Sequence, residues 1–421
     1  MNGVGHAFTL TTAGANAHGV LAQSIGGGGG SGGDANGGGL TIASFQMAGA
    51  GEAGGAGGDT NLTFDGLGLT TYGTHAAGLI AQSIGGGGGT GGSAYSHNTA
   101  AGFTLAVGVG GKGGAGGNGG TTTVDLTSTM IATGEGVGSD GQTGNTITDA
   151  FGIVAQSVGG GGGMGGSSTA RAIDVVVPVD DVSFGSEVSV AVGGARGDGG
   201  NGETVTVALD STAIQTQGDE SIGIVAQSVD GGGGIGGSSD AIGRILQQSE
   251  DDGEEEPIGE AANEGDGGTT TVSASVNVGV GGSGGSAGGA STVTVTMANG
   301  SSVTTYGENA NAVLAQSIAG GGGTAGAGSS NSDGDQAFTV ALGASGGASG
   351  TGGTVTLDGT FKLSTAGARA IGIVAQSIGG AAVLPQSTCP TRTVARCIWG
   401  QMGRAAADHT SPSTLKTKAT S

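Results

Sequence analysis

Apolar and polar positions alternate in short runs along this chain, and the runs follow one another in an order that repeats six times. One run alternates Thr with Val or Leu, as at 121–126, 204–209, 292–297 and 354–357. A second ends in the phrase [ILV]-x-T-x-G, as at 69–73 and 214–218, and a third carries an apolar pair followed by A-Q-S. β-Branched residues at period two, bounded by glycines, predict short strands. A fourth strand is predicted after the glycine run that follows A-Q-S, at 103–107, 188–192 and 338–342, and a second glycine-rich stretch closes the unit.

The A-Q-S copies begin at Ala22, Ala81, Ala155, Ala226, Ala315 and Ala375, so successive copies lie 59, 74, 71, 89 and 60 residues apart. A glycine precedes the apolar pair in five of them, Ala312 being the exception. A chain that rewrites one segment six times is building an array. Three strands in roughly 20–25 residues match one turn of a parallel β-helix, in which each strand pairs with its copy in the next turn. The spacing therefore predicts two or three turns per unit, with the length differences in loops. The fold expected for residues 1–380 is all-β, a parallel solenoid with Gly-rich loops.

Glycine supplies 104 of 421 residues, which puts the composition near that of disordered chains. The apolar residues nevertheless gather in the periodic strands, the pattern of a thin core. The glycine runs read either as mobile loops or as edges where backbones approach closely. A net charge of −22 argues against nucleic acid and anionic membranes as partners. Nine of the 33 acidic residues fall within 250–266, in an insert spanning about 247–268 that reads as a solvated loop. No Ca²⁺-loop spacing accompanies them, and 193–198 only echoes the Ca²⁺-binding β-roll nonapeptide.

Residues 1–380 hold no cysteine; Cys389 and Cys397 lie in a closing segment, 381–421, with Trp399, five of the eleven basic residues and one acid, Asp408. That break in composition predicts a tail unrelated to the array and disordered. Residues 1–10 show no basic and apolar leader, and no stretch approaches the ~18 apolar residues of a membrane helix. An exported protein would contain this chain as a fragment.

Catalytic look-alikes are weak. Ala22 to Gly26 fits A-x-S-x-G, yet six copies of a nucleophile would need six bases, and the positions equivalent to His18 are Ala77, Phe151, Ile222, Asn311 and Ile371. Gly113 follows Lys112 where a phosphate loop needs Ser or Thr. The five His show no paired ligand spacing. No catalytic residue, metal ligand or cofactor site is expected. Ser24, Ser83, Ser157, Ser228, Ser317 and Ser377 read as structural repeat positions, as do Gln23, Gln82, Gln156, Gln227, Gln316 and Gln376. Stacked amides would satisfy one another if each repeat advanced by a single strand spacing; otherwise each Gln would bond to its own turn. Leu21, Gln23 and Ile25 share one strand face and Val20, Ala22 and Ser24 the other, and either face reads as the core.

The phrase G-[IV]-V-A-Q-S-[IV]-G-G-G-G-G, with V-x-V and [ILV]-x-T-x-G upstream, resembles the Gly-rich repeats in passenger regions of bacterial autotransporters, over residues 1–380. The resemblance implies a right-handed parallel β-helix displayed on a Gram-negative cell surface after export through a C-terminal β-barrel. It also implies a non-enzymatic stalk or adhesin role, with host or neighbouring-cell surface molecules as partners and no membrane insertion by this chain itself. The signal peptide and the barrel of the full family pattern are not in this sequence. The alternatives are a Gly-rich surface protein of the mycobacterial type, which runs such as 110–120 suggest, and a β-helical polysaccharide-acting enzyme, which needs charge clusters the repeats do not supply.

Overall fold

A computed structural model describes residues 8–134, 147–176, 182–247, 270–333, 336–381 and 414–415. The alternating segments fold into five parallel sheets, and each strand pairs with the strand five places on in the chain. Sheet I takes the Thr/Val runs: Thr60–Asp65, Thr122–Thr127, Val205–Asp210, Val293–Ala298 and Val355–Gly359. Sheet II takes the T-x-G phrases: Phe8–Thr12, Leu67–Thr71, Met130–Thr133, Ala213–Thr216, Ser302–Thr305 and Lys362–Thr365. Sheet III takes the A-Q-S strands: Val20–Ile25, Leu79–Ile84, Ile153–Val158, Ile224–Val229, Val313–Ile318 and Ile373–Ile378. Sheet IV is Ala35–Gly39, Ala94–Ala101, Ser168–Val176, Ser239–Gln247 and Gly328–Ser332, and sheet V is Ala43–Met47, Phe103–Val109, Val182–Val192, Thr270–Val280 and Gln336–Leu342.

The architecture is thus the expected parallel solenoid, with one correction. Each unit is a single turn of five strands rather than two or three turns of three strands. Six turns at about 4.8 Å per strand put the first and last A-Q-S strands only about 24 Å apart. Sheet IV is the strand set that sequence reading missed, because its residues, such as 94–101, mix small and polar types with few β-branched ones.

Sheets I, II and III enclose one apolar core. Leu62, Val124, Val207 and Leu357 enter it from sheet I, Leu69, Ile131 and Ile214 from sheet II, and Leu79, Ile153, Ile224 and Val313 from sheet III. The core face of sheet III is the one bearing Leu79, Ala81 and Ser83, so the Gln face points outward. Between sheets II and III the turn places a non-glycine residue in the left-handed region in all six copies: Asn16, His75, Asp149, Glu220, Asn309 and Arg369, with φ between 53° and 59°. That conformation is uncommon for such side chains, and a repeated bond holds it. The Thr of the T-x-G phrase donates to a carbonyl at the far end of the turn: Thr12 to Ala17 at 2.6 Å, Thr71 to Ala76 at 2.8 Å, Thr216 to Ser221 at 2.6 Å and Thr305 to Ala310 at 2.5 Å. Thr133 makes the same bond to Ala150 at 2.5 Å across the longer third turn.

Sheets IV and V form a second lobe whose interior is made of small residues, among them Ala106, Ala170, Ala172, Ala191 and Ala241. The expected acidic insert falls in the chain between Ser239–Gln247 of sheet IV and Thr270–Val280 of sheet V, and 248–269 lie outside the described residues. The expected tail also lies outside them, apart from Thr414 and Leu415, whose backbone pairs with Thr356 and Leu357 at the last edge of sheet I.

The glycine stretches join the two lobes, and they are ordered. In the second turn Gly85, Gly88 and Gly91 donate to Val158, Gly161 and Met164 of the next turn at 2.8–2.9 Å. The residues one further on, Gly86, Gly89 and Gly92, donate to Gly55, Glu52 and Gly49 of the facing stretch at 2.8–2.9 Å. From the other side Gly111, Gly114 and Gly117 donate to Gly92, Gly89 and Gly86 at 2.8 Å. A period of three in an extended chain is that of a polyproline II helix. One N–H in three bonds along its own column, one bonds across to the facing column, and the third belongs to an outward residue such as Gly87, Thr90 or Ser93. Of the two alternatives for the glycine runs, close backbone approach is what the structure has.

Glycine dominates the two inward positions, although Arg196, Asp230, Ala287 and Ala319 occupy the one that bonds along the column in later turns. A Cβ on Gly163 would overlap the Gly89 carbonyl oxygen, whereas on Gly87 its nearest neighbour would be the Gly161 oxygen at 3.9 Å. Glu52 occupies an inward position in the first turn, where no earlier turn crowds it; the equivalent Gly114 abuts the Glu52 carbonyl. Gly163→Ala is therefore expected to destabilise the chain by about 1–3 kcal/mol, the usual cost of overpacking. Gly87→Ala should stay within about 0.5 kcal/mol of the parent. Urea denaturation midpoints of the two variants check this, and equal midpoints would refute the lattice.

Candidate functional site

The chemistry-bearing residues of the array fall into two sets: the Gln and Ser positions of the A-Q-S strands, and four buried ionisable groups. Every A-Q-S strand pairs with the next in register, so that Ala faces Ala, Gln faces Gln and Ser faces Ser from Ala22 to Ser377. Because one repeat is one turn, the amides stand one strand spacing apart. Gln23 donates to Gln82 at 3.0 Å, Gln82 to Gln156, Gln156 to Gln227 and Gln227 to Gln316 at 2.6 Å, and Gln316 to Gln376 at 2.5 Å. This is an unbroken amide ladder on the half-buried outer face of sheet III.

The serines lie on the opposite face and tie sheet III to the place where the glycine stretch enters sheet I. Ser83 accepts from the Gly120 amide at 2.7 Å and donates to the Gly58 carbonyl at 2.8 Å, so one hydroxyl is inserted between two successive turns. Ser317 repeats the arrangement with Gly353 at 2.7 Å and Ser291 at 3.1 Å. Ser24 accepts from Gly58 and Ser157 from Glu203, both at 2.8 Å, and Ser228 accepts from Ser291 at 3.3 Å. Ser377, in the last turn, has no partner for its hydroxyl. His18, the one imidazole near an A-Q-S strand in sequence, accepts from the Ala77 amide at 3.1 Å. Lys112 occupies an outward position of the glycine lattice, and its carbonyl accepts from Gly51 at 2.7 Å.

Four buried ionisable groups carry no signature in the repeat phrases. Arg196 is 3 % exposed and lies inside the glycine lattice, at a position where other turns have Gly113 and Gly284. Its guanidinium donates to the carbonyls of Gly234 and Thr324, and to Gly285 at 3.3 Å. Desolvation lowers its pKa to about 10, opposed by the nearby charge of Asp198. Asp230 opens the glycine stretch of the fourth turn where other turns have Gly85 and Gly159. It accepts from the Gly202 amide at 2.7 Å through one oxygen and leaves the other unpaired. Burial raises its pKa to about 6, a rise that the Gly202 and Gly320 amides oppose and Glu203 adds to.

Asp174 and Glu187 lie in the interior of the lobe formed by sheets IV and V. Glu187 accepts from Ser275, and from Asn277 at 3.1 Å, through one oxygen. Its second oxygen and both oxygens of Asp174 have no hydrogen-bond partner. Burial raises both carboxyls above the usual range, and the charge of Asp174 adds to the rise at Glu187. Sequence reading missed all four groups; the one available signal was a charged residue at a position held elsewhere by Gly or Ala, as at Arg196 and Asp230. Among the described residues no three His, Cys, Asp or Glu side chains gather where they could hold a metal ion. No protein-family description, curated protein or solved structure matches this chain.

Two outcomes are expected. Gln156→Leu breaks the amide ladder at its middle, leaving the Gln82 donor and the Gln227 acceptor without partners, and should cost about 1–3 kcal/mol; an unchanged or raised chemical denaturation midpoint would show the ladder to be dispensable. Asp230→Asn keeps the acceptor for Gly202 and removes the charge. The Asp230 carboxyl is neutral in both the folded and unfolded chain well below 3.8, while between that value and about 6 only the unfolded chain releases the proton. The parent therefore loses stability as pH rises through this window, and the penalty is complete above it. Asp230→Asn should match the parent near pH 3 and exceed it by on the order of 2–3 kcal/mol at pH 8. Denaturation curves at the two pH values measure the difference.

Proposed function

We propose that this chain is a non-enzymatic passenger segment of an autotransporter-type protein, carried on the surface of a Gram-negative cell as a β-helical stalk that takes part in contact with other surfaces. The observation that carries this reading is the in-register stack itself. Each turn bonds to its immediate neighbours through five sheets and the glycine lattice, so the array can be assembled turn by turn as a chain emerges from a pore. The resemblance of the A-Q-S phrase to autotransporter passenger repeats supports the same reading. It supplies the expected carrier, a C-terminal β-barrel on another part of the protein.

On this reading the Ser and Gln positions are devices of assembly. Five of the serine hydroxyls accept backbone amides at the junction of sheets III and I, and the Gln amides bond one another, so both sets are engaged with the stack. Partners are molecules of a host or of a neighbouring cell, met by the outward faces of the turns.

Labelling of the producing cells with antibody raised against the array tests the proposal. Intact cells should stain, and external protease should remove the signal while a cytoplasmic marker survives. Staining that appears only after permeabilisation would overturn it.

A further inference from the structure

Sheet V is built inside out. Its strands point small and polar residues inward, such as Ser273, Ser275, Asn277 and Gly279, and apolar residues outward, such as Val272, Val276, Val278 and Val280. The registers align these outward residues into continuous rows. One row runs Phe45, Val107, Val190, Val278, Val340 and another runs Ala43, Leu105, Val188, Val276, Phe338. A third runs from Met47 through Val109, Val192 and Val280 to Leu342. No charged residue stands in any of the three rows, in a chain of net charge −22.

This face is open. Phe45 is 59 %, Met47 63 %, Phe184 67 % and Phe338 61 % exposed, with Phe103, Val272 and Val276 between 36 % and 43 %. At 150–200 Å² per side chain, those seven residues alone present roughly 550–750 Å². The half-buried residues between them bring the face to the about 800 Å² per partner of a standard stable interface. A monomer rarely leaves a contiguous apolar patch of that size in water.

We infer that the outer face of sheet V is the interface of a homodimer, in which two copies of this chain pack face to face. Three features select a second copy as the occupant. The face repeats at the strand spacing and its three rows carry no charge, so it is complementary to itself and its burial desolvates no ion. Two twisted sheets pack in this way about 10 Å apart, with rows of side chains interdigitating. The area suffices for an isologous contact, which closes at two copies. The dimer stands on the geometry of sheet V, so it does not depend on surface display, although two stalks paired in this way would present their remaining faces together.

Sedimentation velocity of the full chain tests the inference. The parent should sediment at twice its 38.8 kDa mass at about 10 μM. Val190→Lys combined with Val278→Lys, at the centre of the face, should weaken association by at least about a hundredfold, with an unchanged far-UV circular dichroism spectrum. If the Lys variant does not fold, the isosteric triple variant Val107→Thr, Val190→Thr, Val278→Thr should reproduce the loss with milder chemistry. Thr206→Lys with Thr294→Lys, on the outer face of sheet I, should leave the dimer intact. A parent that stays monomeric throughout the micromolar range would overturn the inference, as would sheet V variants that keep the dimer mass. A monomeric parent that instead floats with phosphatidylethanolamine vesicles, and loses this with the Val→Lys changes, would assign the face to lipid and overturn it equally.

Discussion

Close approach of backbone to backbone in the glycine lattice is the constraint on which the rest of the structure depends. The extended chains lie so near one another that a methyl group at Gly88 would overlap the carbonyl oxygen of Gly114 in the facing column, and one at Gly163 would overlap that of Gly89 in the turn before it. In exchange, two of every three amides find a partner without any side chain. The lattice carries the chain out from the apolar core to the second lobe and back again, once per turn. It also favours one register in all five sheets, because a stretch that bonds to its neighbour at period three cannot slip by one residue without moving outward side chains such as Thr90 and Lys112 into the crowded inward positions.

The two lobes that the lattice joins are stabilised in different ways. Sheets I to III bury Leu, Ile and Val, and the hydrophobic effect acts there as in any compact domain. Sheets IV and V enclose Ala, Ser, Gly and Asn, a thin interior with little apolar area, and hold together mainly through strand pairing along the stack. Two carboxyls, Asp174 and Glu187, are buried in that interior with unpaired oxygens, and desolvation moves both toward the neutral form. Arg196 and Asp230 introduce charge into the lattice itself, where surrounding carbonyls and amides partly solvate it. Among the described residues, the third and fourth turns hold these four groups, so the pH dependence expected from burial is concentrated there.

Side chains that recur once per turn act as connectors between elements. The Thr of the T-x-G phrase closes the turn between sheets II and III, the Ser of A-Q-S fastens sheet III to the entry of sheet I, and the Gln forms a ladder along the outside. Each connector pairs a polar group with another polar group one turn away or across one turn, so its value depends on the stack. The last turn shows the dependence: the Ser377 hydroxyl has no partner where the first five serines have one.

Sequence alone determined the fold class, the repeat boundaries and most of the strands. Period-two alternation follows from the geometry of a single strand, and a sixfold repeat has few ways to bury its apolar residues except by stacking. It also singled out the Gln and Ser positions. Tertiary structure alone decided how many strands make a turn, because strand count depends on which copies pair, and pairing is a relation between distant segments. The same relation turned the glycine runs from candidate loops into a lattice: glycine permits both outcomes, and only the facing column removes the choice. It also set which face of each strand is inside. The valines of sheet V look like core residues by their period, yet they point outward, because the alternate positions, mostly Ala, Ser, Gly and Asn, are the ones that face sheet IV.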